Sequence, residues 1–245
     1  MKKLIFACLA FSLAFASCKK NKDVIEPAHK NLVTKRTDND GLLFSYSYDA
    51  SNQMTGYSQS ANPYNLARSY TFTYNANGSL AEYFESMRQD KGKYTYNTDG
   101  TINTQKEYSV SGATETLVNT YTYTYVAGVV LQNYIFAPTG NGFRQEYKYG
   151  SNGNLIEVKS YTTTPANPAG TYSGVVTYGN YDTKNTPGSS FPTAFSFPGY
   201  GKNNVGSITY SSGGIITYTY EYNVDGYPTK RVDGTNISIY EYKRL

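Results

Sequence analysis

The segment Tyr121-Thr122-Tyr123-Thr124-Tyr125 constrains this chain most, because aromatic and small polar residues alternate there with a strict period of two. Successive side chains of a β-strand point to opposite faces, so the segment has a tyrosine face and a threonine face. The alternation returns in Ser45-Tyr46-Ser47-Tyr48, Thr71-Phe72-Thr73-Tyr74, Lys93-Tyr94-Thr95-Tyr96, Tyr147-Lys148-Tyr149, Thr217-Tyr218-Thr219-Tyr220-Glu221-Tyr222 and Tyr240-Glu241-Tyr242. One β-unit is written several times.

A recurrent turn separates these units. Asn75-Ala76-Asn77-Gly78, Asn97-Thr98-Asp99-Gly100 and Asn223-Val224-Asp225-Gly226 share one spelling, and Ser151-Asn152-Gly153-Asn154 and Asp49-Ala50-Ser51-Asn52 are variants. Asn or Asp at the first position can bond forward to the backbone. Gly78, Gly100, Gly153 and Gly226, or Asn52 in their place, tolerate the left-handed conformation that closes a type I turn with a bulge. The spelling also matches the start of a calcium loop, but the further oxygen ligands and closing Glu are missing, so no metal site is expected. Repeated hairpins predict an all-β fold: an antiparallel meander forming a curved single-layer sheet or a water-soluble barrel. Two proline-rich stretches interrupt it. Residues 162–170 read as too rich in proline for strand, and residues 185–204 as a long loop carrying Phe191, Phe195, Phe197 and Tyr200. These four aromatics are a candidate binding loop, unless they fold back to plug a barrel end.

Composition narrows the core. There are 28 Tyr, 22 Gly and no Trp. Each Tyr ring carries a hydroxyl that needs a partner or water, which favours thin layers or a wet barrel over a dry sandwich. The net charge of +4 is small and scattered, so nucleic acid is not an expected partner.

Residues 1–17 read as a signal peptide: the basic Met1-Lys2-Lys3, an apolar run too short to span a bilayer, then Ala14-Phe15-Ala16-Ser17 before Cys18. This ending resembles a bacterial lipobox. The resemblance implies lipidation of Cys18, a membrane partner reached through the lipid, and a place in the cell envelope. Lys19, in the position where Asp favours retention at the inner membrane, implies the outer membrane. Residues 18–40 read as a flexible tether and 41–245 as one tyrosine-rich β-domain.

The segments Phe72-Thr73-Tyr74-Asn75-Ala76-Asn77-Gly78-Ser79-Leu80, Tyr94–Ile102 and Tyr220–Gly226 resemble the YD repeats of Rhs-type proteins. Over residues 42–245 the chain is similar to small Bacteroidetes lipoproteins of unknown function whose domain is described as porin-like. That family implies a tyrosine-rich antiparallel sheet or barrel with no known catalytic residues. A membrane-embedded barrel needs an outward apolar band, which neither the tyrosine face nor the Thr, Ser, Lys and Glu face supplies.

Little catalytic chemistry remains. The sole histidine, His29, lies in the tether, and no phosphate loop is present, so no cofactor is expected. Glu146, Glu221 and Glu241 lie on strands and could serve a glycosidase only if two of them faced one cleft. Alternation of such Glu with Lys is ordinary on a solvated sheet. The sequence therefore points to a non-enzymatic binding or structural module for a glycan, a peptide or an envelope protein. A carboxylate-dependent hydrolase and a structural subunit of an envelope assembly are the alternatives.

Overall fold

The computed structural model describes residues 31–197, 199 and 201–245. The chain runs as a meander of sixteen antiparallel strands that closes into a barrel. In order these are β1 (Asn31–Asp38), β2 (Leu43–Tyr48), β3 (Met54–Gln59), β4 (Arg68–Tyr74), β5 (Leu80–Glu85), β6 (Asp90–Tyr96), β7 (Ile102–Ser111) and β8 (Thr114–Val126). The second half comprises β9 (Val129–Phe136), β10 (Gly142–Tyr149), β11 (Leu155–Thr164), β12 (Asn167–Gly179), β13 (Ser207–Tyr210), β14 (Ile215–Tyr222), β15 (Pro228–Asp233) and β16 (Asn236–Arg244). Each strand pairs with its sequence neighbours, and β1 pairs with β16 to seal the ring, Asn31 opposite Arg244 and Asp38 opposite Ser238. Full closure removes the exposed edges that an open sheet would leave.

The domain therefore begins earlier than residue 41. Residues 31–38, expected to be part of a tether, form β1, with Leu32 and Val33 buried. The segment lacks the tyrosine alternation of its partners, and a bulge between Val33 and Lys35 breaks its own. The signal peptide, Cys18, His29 and the rest of the tether lie outside the described residues.

The repeat turns all fall at one rim, the rim at which β1 begins and β16 ends. Gly78, Gly100, Gly153 and Gly226 adopt φ of +82°, +85°, +80° and +79°, and Asn52 takes +63°. In each, the backbone closes twice; in the second, Gly100 N donates to the Asn97 carbonyl at 3.0 Å and Asn97 N to the Thr101 carbonyl at 2.8 Å. The side-chain acceptor varies. It is the first residue in Asp49 and Asn223, and the third in Asn77 and Asp99. A register shift at the last residue of the preceding strand accompanies the turn in the Tyr48, Tyr74, Tyr96, Tyr149 and Tyr222 hairpins.

Tyrosines at this rim have a repeated task. The hydroxyl reaches across the preceding hairpin to the carbonyl of the first residue of the preceding odd-numbered strand. Tyr74 donates to Met54 at 2.5 Å, Tyr96 to Leu80 at 2.7 Å and Tyr125 to Ile102 at 3.0 Å. Tyr181 donates likewise to Leu155 at 2.6 Å and Tyr242 to Pro228 at 2.8 Å. Tyr222 donates to Asp182 instead, and the Tyr149 hydroxyl is buried with no hydrogen-bond partner among the described residues.

The stretch 162–170 is not a loop. β11 and β12 continue through it, with Thr164 opposite Asn167. Pro165 sits in the two-residue turn, and Pro168 falls where the register shifts between Thr162 and Thr164, so neither has to donate to the ladder.

Candidate binding cavity

The tyrosine face points inward and the Thr, Ser, Lys and Glu face outward. Inside, Phe72, Tyr83, Tyr94, Tyr123 and Tyr147 are buried around Met54, Leu80, Ile102 and Val158. Their hydroxyls are met by amides and carboxylates from the same face. Gln132 donates to the Tyr123 hydroxyl at 3.0 Å and accepts from Tyr147 at 3.1 Å. Glu107 accepts from Tyr83 at 2.8 Å, Asn119 at 2.8 Å, Gln105 at 3.0 Å and Tyr121 at 3.2 Å. Asp90, at the start of β6, has its carboxyl pushed above the usual carboxylate range by burial, then by Glu107 and Glu85. Burial also raises the ring hydroxyls: Tyr46, Tyr74, Tyr123, Tyr125, Tyr149 and Tyr181 are each pushed up to about 12.

The long connection between β12 and β13 turns back into the barrel from the rim of the repeat turns. It carries a single 3-10 turn, Pro187–Ser190, and one turn of helix, α1 (Thr193–Ser196). Phe195 lies edge-on against Phe72 at 4.9 Å, Tyr83 at 5.3 Å, Tyr70 at 5.5 Å and Tyr57 at 6.0 Å between ring centres. Phe191 lies 5.4 Å from Tyr46, and Phe197 5.8 Å from Tyr123. Three of the four aromatics singled out in this loop are thus held among wall tyrosines rather than displayed on the outside; Tyr200 lies outside the described residues. The segment is pinned at its base by polar contacts. Asp182 accepts from Asn204 Nδ2 at 3.0 Å and from the Tyr222 hydroxyl, and Asn203 N donates to Asn154 Oδ1 at 3.1 Å.

The plug does not fill the barrel. Between it and the wall formed by β1–β3 and β11–β16 lies a cavity of about 490 Å³. Tyr46, Tyr57, Tyr218, Tyr220 and Tyr240 line its wall side, with Phe191 and Phe195 on the plug side. Two arginines reach it, Arg36 from β1 and Arg231 from β15. Arg36 lies flat on the Phe44 ring, Cζ 3.6 Å from its centre, and its Nη2 donates to Asp38 at 3.0 Å. Arg231 Nη2 is 3.3 Å from Ser238 Oγ and 3.8 Å from Asp233. Sequence reasoning passed over both arginines. Both stand in an Arg-x-Asp spelling, Arg36-Thr37-Asp38 and Arg231-Val232-Asp233, on strands that flank β16, but Arg88-Gln89-Asp90 shares that spelling away from the cavity, so the spelling alone does not mark them.

The carboxylates considered for hydrolysis do not meet in the cavity. Glu221 pairs with Lys230 at 2.8 Å, Glu241 with Lys35 at 2.9 Å and Glu146 with Arg144 at 3.2 Å, all on the outer face. Among the described residues no three His, Cys, Asp or Glu side chains converge as metal ligands. Among the described residues the outer face carries no continuous apolar band: Ile135 and Ile239 are exposed, but Thr, Ser, Lys and Glu surround them.

This geometry defines a class: an antiparallel sixteen-strand barrel closed at one rim by its own inserted loop, with an aromatic cavity inside. Solved structures of the same fold exist. A porin-like protein from Bacteroides vulgatus matches with a TM-score of 0.59 at 13% identity, covering 87% of this chain and all (100%) of that one. A porin-like protein from Bacteroides uniformis matches at 0.57 and 17% identity, covering 87% of this chain and 97% of that one. No protein-family profile and no curated protein matches the sequence.

Proposed function

We propose that this protein is a non-enzymatic binding barrel of the cell envelope, lipidated at Cys18 and hung from the outer membrane, which takes a small glycan or peptide into its interior. The observation that carries the proposal is the cavity of about 490 Å³, walled by tyrosine rings and entered by two arginine side chains. Binding sites are concavities of this size in which apolar walls surround a few placed polar groups. The fold shared with porin-like Bacteroides proteins supports the envelope setting. The polar outer face supports a barrel in water beside the membrane rather than one spanning it, since a spanning wall needs a continuous apolar band.

Two experiments test this. Replacement of Cys18 by Ala should move the protein from the membrane fraction to the soluble one, and continued membrane association would exclude a lipid anchor. Glycan and peptide libraries should contain members that raise the melting temperature, by about 5–10 °C at a hundredfold excess over Kd. Ile208→Trp, which fills the cavity from the β13 wall, should abolish that rise. A library with no stabilising member, or a rise retained in the filled variant, would remove the binding reading.

A further inference from the structure

The cavity has a sign. Of the side chains that line it among the described residues, Arg36 and Arg231 are the ionised ones, and no Asp or Glu is among them. Asp38 and Asp233 stand two residues further along the same strands, so they orient the guanidinium groups without lining the space. The two arginines flank β16 on its inner face: Arg36 is opposite Tyr240 and Arg231 opposite Ser238. Strand spacing and rise place their Cα atoms about 12 Å apart, a span that two arginine side chains close from either side of one group. Each is satisfied only in part, Arg36 by Asp38 and Arg231 by Ser238 with Asp233 at 3.8 Å. The Arg36 and Arg231 side chains line the cavity and are 25% and 33% exposed, while the Nε of each is buried without a hydrogen-bond partner among the described residues. An orphaned donor on a charged group is costly to leave in place, and a bound anion that draws the guanidinium outward relieves it.

We propose that Arg36 and Arg231 form a carboxylate-receiving site and that the ligand is an acidic saccharide, a uronate residue or short uronate oligomer. This rests on the reading of the cavity as a binding site. The carboxylate sits between the two planar guanidinium groups, each of which offers donors in the fork geometry that carboxylates match. The sugar ring lies on the Tyr220 and Tyr240 wall, with hydroxyls toward the neighbouring phenols and toward Asn203 and Asn204 of the plug. The Arg–Phe44 stack and the Asp38 contact hold one fork in place before binding, which lowers the ordering cost.

The test measures binding of three probes to the full chain in detergent by calorimetry: digalacturonate, the neutral disaccharide lactose, and trialanine. Digalacturonate should bind, weaken as salt is raised, and lose about ten- to a hundredfold in affinity in Arg36→Gln and in Arg231→Gln. Arg231→Lys keeps the charge without the fork and should fall between wild type and Arg231→Gln. Melting curves without ligand identify any variant that fails to fold, in which case Arg231→Lys decides. Lactose binding as tightly as digalacturonate, with no loss in either variant, would overturn the acidic ligand while leaving a binding cavity. Trialanine binding in an Arg-dependent manner while digalacturonate does not would overturn the saccharide. Failure of digalacturonate to bind also overturns the inference; the cavity reading itself is judged separately, by the Ile208→Trp comparison.

Discussion

Tyr96→Phe and Tyr149→Phe remove the same atom from equivalent positions of two repeats, and the structure predicts opposite consequences. Tyr96 ends β6 and donates to the Leu80 carbonyl at 2.7 Å. Leu80 is buried, at 3% exposure, so the substitution leaves that carbonyl short of a partner where water does not easily reach it. Loss of a hydrogen bond with one partner left behind costs about 1–3 kcal/mol, and the partial exposure of the Tyr96 ring argues for the lower half, about 1–2 kcal/mol. In a chain of this length that is a fall in melting temperature of about 2–8 °C. Tyr149 ends β10 in the same way, but its hydroxyl is buried without a partner among the described residues. Deleting an unsatisfied buried hydroxyl removes a desolvation cost, so Tyr149→Phe should leave stability unchanged or raise it by up to about 1 kcal/mol. Urea titration followed by circular dichroism compares the two at fixed m-value. Equal losses in both variants would refute the assignment of the rim tyrosines as hydrogen-bonded ties, and would mean that their rings alone matter.

Two further outcomes follow from the interior. Tyr74, Tyr123, Tyr125 and Tyr181 keep their protons up to about pH 12 in the folded state, because burial disfavours the phenolate. An unfolded tyrosine ionises near about pH 10. Their contribution to stability is thus complete below the unfolded pKa and is lost as pH rises through the folded one. Alkaline titration should show these tyrosines ionising together with loss of the β-sheet signal in that window, and phenolate absorbance rising smoothly while the sheet persists would contradict it. Phe195→Ala removes a ring in contact with four wall aromatics, and should cost about 2–4 kcal/mol, toward the lower end of the range for core Phe truncations because the ring is half-buried. Thermal melts check this, and a shift below 2 °C would show that the plug is not packed as described.

The meander was legible in the sequence wherever tyrosine alternated and an Asn/Asp–Gly turn followed, because pattern and turn chemistry carry the same instruction there. The hairpins ending at Tyr74, Tyr96 and Tyr222 are examples. β1 was not legible, since Leu32 and Val33 are consecutive buried residues just before a bulge and no tyrosine marks the strand. The β11–β12 hairpin was obscured by Pro165 and Pro168, which a turn and a register shift absorb. The cavity was hardest to see. An Arg two residues before an Asp puts both on one face of a strand, but whether that face is wet or enclosed depends on register. Lys35 and Arg36 are neighbours, yet one pairs with Glu241 outside and the other lines the interior. The inserted loop was visible as an interruption, and its inward course is set by contacts made far away in the chain.

The seam between β1 and β16 has a consequence for how the molecule is made. Every other pairing joins strands adjacent in sequence and can form as soon as a hairpin is complete. The seam alone unites the start of the barrel with its end, so the ring stays open until the last strand is available. Until then the outer edges of β1 and β16 are unpaired backbone, the kind of surface that joins neighbouring molecules instead. Closure is therefore the step on which both speed and fidelity of assembly turn, and a slow-folding species should be an open ribbon with its hairpins already formed. Because Asn31 and Arg244 face each other across that seam, a permuted chain joined there and cut at the Ser211–Gly214 turn should still close, with its last-formed seam moved to a new place on the ring.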